Sequence, residues 1–184
     1  AYTLAFGGLL LLGGRAADLF GGRRVFLTGL VVFTGASLGA ALADSATTLI
    51  AARVAQGVGA AMLSPAALSL ISKTFPDGPE RQRALAAWAA VAASGGAFGV
   101  LLGGALTEAL DWTAIFLINV PIGVAVGIAA LRVLPARAES ERGRIDFAGA
   151  LLATGSLVAL IYGLVEAPDA GWGSAQTVGL LALA

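Results

Sequence analysis

Arg53 stands out because it lies inside a long apolar stretch, "TTLIAARVAQGVGAAMLSPAAL". A buried cation in a membrane is costly and usually faces a bundle interior or a wet cavity. Gln56 and Gly57 follow three and four residues later, on the same helix face, and Ala60 and Ser64 extend that face. A guanidinium does not release protons at ordinary pH, but it holds a neighbouring carboxylate in its charged form. The face predicts a proton pathway or a packing surface; the alternative is that Arg53 snorkels to the outer interface.

A second polar group interrupts the first apolar run at "GGRAADLFGGRR". Asp18 lies four residues after Gly14 and three before Gly21, and Arg23 and Arg24 follow. The carboxylate suits charge-assisted hydrogen bonds from either arginine or from the positive N-terminus of a neighbouring helix. The glycines permit close helix approach or a tight turn. This group predicts a latch between helical bundles on one side of a membrane, and the simpler alternative is an ordinary basic loop.

The composition restricts the remaining chemistry. The chain has no Cys and no His, which excludes disulfides, thiolate metal sites and an imidazole base. We therefore predict no metal, no cofactor and no enzyme, and the net charge of zero gives no reason to expect nucleic acid as a partner. With 58% apolar and 12% charged residues, the chain is too apolar for a soluble bundle. The predicted class is an all-α polytopic membrane protein whose partner is the lipid bilayer.

Apolar segments of membrane-spanning length recur along the chain. Both ends lie inside such segments, so we expect a fragment of a longer protein. The predicted segments are 1–14, 25–43, 47–72, 84–106, 113–134 and 147–166, with another beginning at 174–184.

The basic residues fix the predicted orientation. Ten of the eleven lie in or beside every second connection, which the positive-inside rule assigns to the cytoplasm. These are Arg15, Arg23, Arg24, Lys73, Arg81, Arg83, Arg132, Arg137, Arg142 and Arg144. The intervening connections carry only acidic charges, at Asp44, Glu108, Asp111, Glu166 and Asp169.

Two later segments contain residues that shape helices. Gly95, Gly99 and Gly103 recur every fourth residue and share one face with Gly104, which predicts a close packing groove. In the following segment a proline comes two residues after Asn119. Such a residue bends a helix and frees a carbonyl, so we predict a kink around Asn119 and Pro121, with packing rather than substrate contact as the simpler alternative.

The loop resembles the cytoplasmic signature of the major facilitator superfamily, roughly G-x-x-x-D-x-x-G-R-R/K-R/K. In that family it joins the second and third spans, so the first run here corresponds to the second span. Gly22 stands where the first basic residue is usual, while Arg23 and Arg24 match. The pattern of Leu49, Arg53, Gln56 and Gly57 resembles the family's fourth-span motif L-x-x-x-R-x-x-Q-G. In proton-coupled members its arginine is associated with coupling, a role that the resemblance implies for Arg53.

The glycine face resembles the fifth-span motif of proton-driven antiporters, roughly G-x-x-x-G-P-x-x-G-G. Gly95, Gly99, Gly103 and Gly104 match, but Val100 replaces the proline, which puts the associated helix bend in doubt. The stretch "W-x-x-I-F-x-I-N-V-P-I-G" from Trp112 resembles the sixth span of fourteen-span drug/proton antiporters. The short connection that follows it also resembles that branch, which has two extra central helices.

This resemblance implies a domain organisation and a function. Residues 1–134 would form spans two to six of an N-terminal six-helix bundle, 135–146 a short cytoplasmic connection, and 147–184 the first extra central spans. The implied function is proton-coupled efflux of lipophilic or cationic drugs by alternating access. The implied partners are the drug-like substrate, protons and a C-terminal bundle that this sequence does not contain. The implied location is the cell membrane, as a multi-pass protein of the bacterial inner membrane. The alternatives are a transporter of another metabolite and a truncated fragment that does not transport.

Overall fold

The computed structural model describes residues 1–134 and 147–184, so the predicted connection at 135–146 lies outside the described residues. All regular secondary structure within those two ranges is helical. The helices are α1 (Tyr2–Phe20), α2 (Gly22–Ala41), α3 (Ala46–Thr74), α4 (Pro79–Ala109), α5 (Ala114–Leu117), α6 (Asn119–Val133), α7 (Phe147–Ala170) and α8 (Ala175–Leu183).

Five helical segments in the described part are long and apolar enough to cross a membrane: α1, α2, α3, α4, and α5 with α6 taken together. The predicted all-α membrane class is confirmed. Short connections between consecutive helices place neighbours antiparallel, so the ends of the helices that carry basic residues collect on one side. This arrangement agrees with the alternation of charge along the sequence.

The segments predicted at 1–14 and 25–43 leave residues 15–24 as a loop, and the extent of this loop is wrong. Arg15 and Asp18 both lie on α1, and a single residue, Gly21, separates α1 from α2. Gly21 has φ 87°, a conformation that suits glycine and reverses the chain without a longer loop. The charges marked the end of the apolar run and not the end of the helix, because a helix can extend past the hydrocarbon with polar residues on its last turns.

Helices α1, α2 and α3 form the packed centre of the described chain, and glycine sets the distances between them. A Cβ atom built on Gly59 of α3 would lie 2.6 Å from the amide nitrogen of Phe33 and 2.8 Å from the carbonyl oxygen of Gly29, both on α2. A Cβ on Gly57 would lie 2.7 Å from the carbonyl oxygen of Tyr2 on α1. The backbones of α3 and its two neighbours therefore touch directly, as small residues allow in membranes.

The sixth apolar segment is divided into α5 and α6 close to the predicted kink. Pro121 has no backbone N–H to donate to the carbonyl of Leu117, the last residue of α5. The side chain of Asn119 donates instead to the carbonyl oxygen of Ile115, at 3.3 Å. Proline and asparagine together account for the interruption between two short helices.

Helix α4 differs from the others because none of its residues is buried. A Cβ on Gly95, Gly99 or Gly104 would meet nothing within 4 Å, and one on Gly103 would lie 3.9 Å from Cγ2 of Ile115. The predicted glycine groove is thus open in the described part of the chain, and any helix that fills it comes from elsewhere.

Helices α7 and α8 pack against each other, and α7 also packs on α1. A Cβ on Gly7 of α1 would lie 2.6 Å from Cδ1 of Ile161 on α7. The side chain of Ser174 caps α8 by accepting a hydrogen bond of 3.2 Å from the amide of Thr177. Gly7 thus allows α7 to lie close to α1.

Candidate functional site

The guanidinium of Arg53 is held from three sides. Its Nη1 donates a hydrogen bond of 2.6 Å to Oε1 of Gln56, one turn further along α3. Its Cζ lies 4.6 Å from the ring centroid of Tyr2 on α1 and 5.5 Å from that of Phe116 on α5. Both distances are within the range of a cation–π interaction. These contacts direct the half-buried cation toward the helices and not along a free path to the outer interface.

A buried chain of hydrogen bonds continues from Gln56 to α2. The Nε2 of Gln56 donates to Oγ of Ser37 at 2.8 Å, and that hydroxyl donates to the carbonyl oxygen of Phe33 at 2.8 Å. Gln56 is 2% exposed and Ser37 is fully buried. The polar network of Arg53, Gln56 and Ser37 therefore joins α3 to α2 inside an otherwise apolar bundle.

Four helices supply this site from the same end of the bundle. Tyr2 opens α1, Ser37 lies in the last turns of α2, Arg53 lies near the start of α3, and Phe116 lies on α5. The positive-inside rule predicts that this end is non-cytoplasmic. Sequence reasoning identified Arg53 and Gln56 but missed Tyr2, Ser37 and Phe116. A serine in the charge-free run 25–43 was the available signal for Ser37. Phe116 lies in the stretch that begins at Trp112, but neither that stretch nor the surroundings of Tyr2 indicates a contact with Arg53.

Gly57 belongs to this site through packing and not through chemistry of its own. A Cβ there would lie 2.8 Å from Cβ of Ala5 and 3.1 Å from the amide nitrogen of Phe6, in addition to the clash with Tyr2. The absent side chain lets the start of α1 lie directly on α3. This close approach brings the ring of Tyr2 over Arg53.

The site provides a fixed positive charge in apolar surroundings. The groups in contact with the guanidinium are the amide of Gln56 and two rings. Within residues 1–134 and 147–184 no carboxylate lies within ion-pair distance of Arg53. The same described residues contain no group of acidic side chains able to hold a metal ion. Such a site attracts an anion or a carboxylate, but it offers no nucleophile or general base.

The residues predicted to form the latch lie at the opposite, basic end of the bundle. Arg23 donates from Nη2 to the carbonyl oxygen of Leu131, at 3.3 Å, and Arg24 is exposed. Among the described residues neither arginine forms an ion pair with Asp18. Asp18 is half-buried and lines a cavity of about 550 Å³ between α1, α3 and α7, together with Gly14.

Arg23 thus ties the start of α2 to the end of α6. Leu131 lies in the last turn of α6, where carbonyl groups have no partner within the helix and carry a partial negative charge. A cation at that position satisfies one of these carbonyls. The contact links two helices of the described chain and does not involve Asp18.

We expect Arg23→Ala to lower the free energy of unfolding by about 1 kcal/mol, because it removes a hydrogen bond and a favourable charge at a helix C-terminus. Arg24→Ala is the matched control, since it removes the same charge from an exposed neighbouring position. Thermal unfolding in detergent compares the two variants. Equal destabilisation by both would contradict a specific role for the contact with Leu131.

The glycine face of α4 and the kink meet next to the Arg53 site without joining it. Gly103 lies near the side chain of Ile115, whose carbonyl accepts from Asn119. Ile115 directly precedes Phe116, which contacts Arg53. The kink thus positions one wall of the site, while Pro121 is exposed.

A further cavity of about 410 Å³ lies between α1, α2, α3, α4 and α6. Four of its twelve lining residues are aromatic, namely Tyr2, Phe6, Phe26 and Trp88. Most of the others are aliphatic, and Ser64 adds a hydroxyl group. Tyr2 also contacts Arg53, so the cavity and the charged site share one residue. A mostly apolar pocket with a few polar groups is the usual form of a small-molecule site.

Comparison with known families decides the identity. The family model described as "Major Facilitator Superfamily" matches residues 1–183. The chain belongs to the Major Facilitator Superfamily. Its members are secondary transporters built from repeated helical units, with substrate sites near the middle of the membrane.

Several curated members of the Major Facilitator Superfamily resemble the chain over its whole length. The cephamycin export protein CmcT of Amycolatopsis lactamdurans is 51% identical over 190 residues, covering 100% of this chain and 39% of that protein. The puromycin resistance protein pur8 of Streptomyces alboniger is 47% identical, with coverage of 100% and 36%. The tetracenomycin C resistance and export protein of Streptomyces glaucescens is 38% identical, with coverage of 100% and 34%.

The chain spans little more than a third of the length of these relatives. Membership of the Major Facilitator Superfamily confirms the predicted resemblance and places the chain in a family of transporters and not of enzymes. It also confirms the predicted location, since these proteins are multi-pass membrane proteins and the relatives are bacterial.

Proposed function

We propose that this chain is the N-terminal part of a proton-coupled exporter of lipophilic or cationic small molecules that works by alternating access. The observation that carries this proposal is the position of the Arg53 cation within an apolar bundle. A cage of three side chains surrounds it: Gln56 accepts its hydrogen bond, and the rings of Tyr2 and Phe116 lie against it. A charge that is so costly in a membrane usually serves transport. The names of the relatives, which refer to export of or resistance to cephamycin, puromycin and tetracenomycin C, support drug-like substrates.

In this proposal Arg53 acts on a carboxylate supplied by another part of the transporter. A guanidinium close to a carboxylate favours its ionised form, so that proton binding weakens their attraction. Protonation and release of the carboxylate would then alternate as the protein opens to each side. The guanidinium of Arg53 supplies a fixed positive charge throughout this cycle.

We propose that the aromatic cavity next to Arg53 forms one wall of the substrate site. Aromatic faces bind both apolar surfaces and cations, and Tyr2 takes part in the cavity and in the cage of Arg53. Occupation of the cavity and the state of the charged site are therefore linked through one side chain. The second bundle would complete the site near the middle of the membrane.

The other predicted sites take supporting roles in this proposal. The open glycine face at Gly95, Gly99, Gly103 and Gly104 would pack against a helix of the remaining protein. Asp18 would accept a hydrogen bond from the second bundle at the cytoplasmic side. Residues 1–134 would form the partial bundle, and α7 and α8 would begin the extra central spans of a fourteen-span transporter.

The test is transport by the full-length protein reconstituted in lipid vesicles. We expect an imposed proton gradient to drive accumulation of the cationic dye ethidium, and expect a protonophore to abolish it. Accumulation that is insensitive to the gradient would overturn the proton coupling. Transport of a different metabolite, and not of dyes or antibiotics, would favour the alternative function of a metabolite transporter. Val100, which replaces the proline of the antiporter motif, is the residue that supports this alternative.

A further inference from the structure

We infer that Ser37 is a positioning residue for Arg53, acting through the side chain of Gln56. This inference rests on the proposed role of Arg53 in proton coupling and adds a residue on α2 to the coupling site. The three side chains form one continuous path: Arg53 Nη1 to Gln56 Oε1 at 2.6 Å, and Gln56 Nε2 to Ser37 Oγ at 2.8 Å.

The direction of the hydrogen bonds carries the inference. The hydroxyl of Ser37 has one proton, which it donates to the carbonyl oxygen of Phe33 at 2.8 Å. Towards Gln56 the hydroxyl therefore offers only lone pairs, and the amide must present its NH₂ group there. The amide oxygen then has to point the other way, toward the guanidinium of Arg53, which only donates. Each donor along the path thus fixes the orientation of the next group.

Removal of the hydroxyl would leave the NH₂ group of Gln56 without its partner on α2. The guanidinium, which only donates, would still bind Oε1, but the amide would no longer be anchored to α2. Burial makes this costly, because Gln56 is 2% exposed and Ser37 is fully buried, so water does not readily replace the lost partner. Arg53 would retain its contacts with Tyr2 and Phe116, but Gln56 would no longer connect it to α2.

The backbone around Ser37 holds the hydroxyl where the path requires it. Gly59 of α3 contacts the backbone of α2 at Gly29 and Phe33, one turn before Ser37. Phe33 is also the residue whose carbonyl accepts the proton of Ser37. The close contact of α2 with α3 therefore sets the distance that the hydrogen bond between Gln56 and Ser37 spans.

The experiment compares Ser37→Ala with Ser37→Thr in the full-length transporter reconstituted in vesicles. We expect Ser37→Ala to lower gradient-driven ethidium accumulation about three- to tenfold, the effect of one lost hydrogen bond to a network that holds a charge. Downhill dye exchange without a gradient should stay unchanged. Ser37→Thr keeps the hydroxyl and should restore most of the gradient-driven rate. Thr28→Ala, at an exposed position of the same helix, is the matched control.

A double-mutant cycle with Gln56→Ala separates positioning from packing. If Ser37 acts through Gln56, Ser37→Ala has little further effect in the Gln56→Ala background. Equal losses in both backgrounds, or a parallel loss of downhill exchange, would overturn the inference. Arg53→Ala is measured beside these variants: if it keeps full gradient-driven transport, the proposed coupling itself fails. If Arg53→Ala loses that transport while Ser37→Ala does not, only the positioning role fails.

Discussion

Gly59→Ala is expected to destabilise the bundle by about 1–3 kcal/mol, the usual cost of forcing extra atoms into a packed interface. The added methyl carbon would lie 2.6 Å from the amide nitrogen of Phe33 and 2.8 Å from the carbonyl oxygen of Gly29. These are backbone atoms of α2, and they cannot turn aside as the end of a flexible side chain does. The two helices must therefore separate along their shared face.

The control for this prediction is Gly35→Ala, on α2 itself. A Cβ atom there would meet nothing within 4 Å, and the position is exposed. Alanine forms helix more readily than glycine, so this variant is expected to be neutral or to stabilise by up to about 1 kcal/mol. Thermal unfolding of the two purified variants in the same detergent makes the comparison. A Gly59→Ala protein as stable as Gly35→Ala would refute the direct backbone contact between α2 and α3.

The sequence predicted the helices well because the membrane leaves few alternatives. A span needs about 20 apolar residues, and every backbone group must be satisfied internally. The apolar run at 25–43 therefore identifies α2, observed at Gly22–Ala41. The ends were harder to predict. Arg15 and Asp18 suggested a loop, but a helix accommodates charges once it leaves the hydrocarbon. Gly21, with its positive φ, is the single residue that separates α1 from α2.

The candidate site was predictable only where one helix determines it. Arg53 and Gln56 lie one turn apart, so helical spacing alone brings their side chains together. Ser37 is 19 residues from Gln56 along the chain, and their contact depends on how closely α2 approaches α3. That distance is set by Gly29 and Gly59, which the sequence shows as two small residues among many.

The aromatic part of the site shows the same limit. Tyr2 and Phe116 lie on different helices, far from Arg53 in sequence. Phe116 belongs to the stretch that begins at Trp112, but nothing in that stretch indicates a contact with Arg53. Tyr2 reaches the cation because Gly57 lets the start of α1 lie on α3. The sequence indicates Gly57 only by its place beside Gln56, whereas the structure shows that its missing side chain allows α1 to contact α3.

Arg53→Ala is expected to reduce gradient-driven transport at least about tenfold, because it removes the charge on which the proposed coupling depends. The stability of the protein should change little or increase. A cation in apolar surroundings is costly to desolvate, and its loss offsets the loss of contacts with Gln56, Tyr2 and Phe116. Loss of transport with an unchanged unfolding temperature would therefore assign Arg53 to function and not to packing.

Arg53→Lys tests which property of the guanidinium matters. Lysine keeps the positive charge, but it lacks the planar group that lies near two rings while donating to Gln56. We expect intermediate transport, above that of Arg53→Ala and below that of the unmodified protein, measured as initial rates of ethidium accumulation at matched protein density. Full activity with lysine would show that charge alone suffices and that the cage is dispensable. Arg24→Ala, which removes a positive charge from an exposed position, is the control and should remain active. Full activity of Arg53→Ala as well would exclude Arg53 from proton coupling and assign it to packing at the outer end of the bundle.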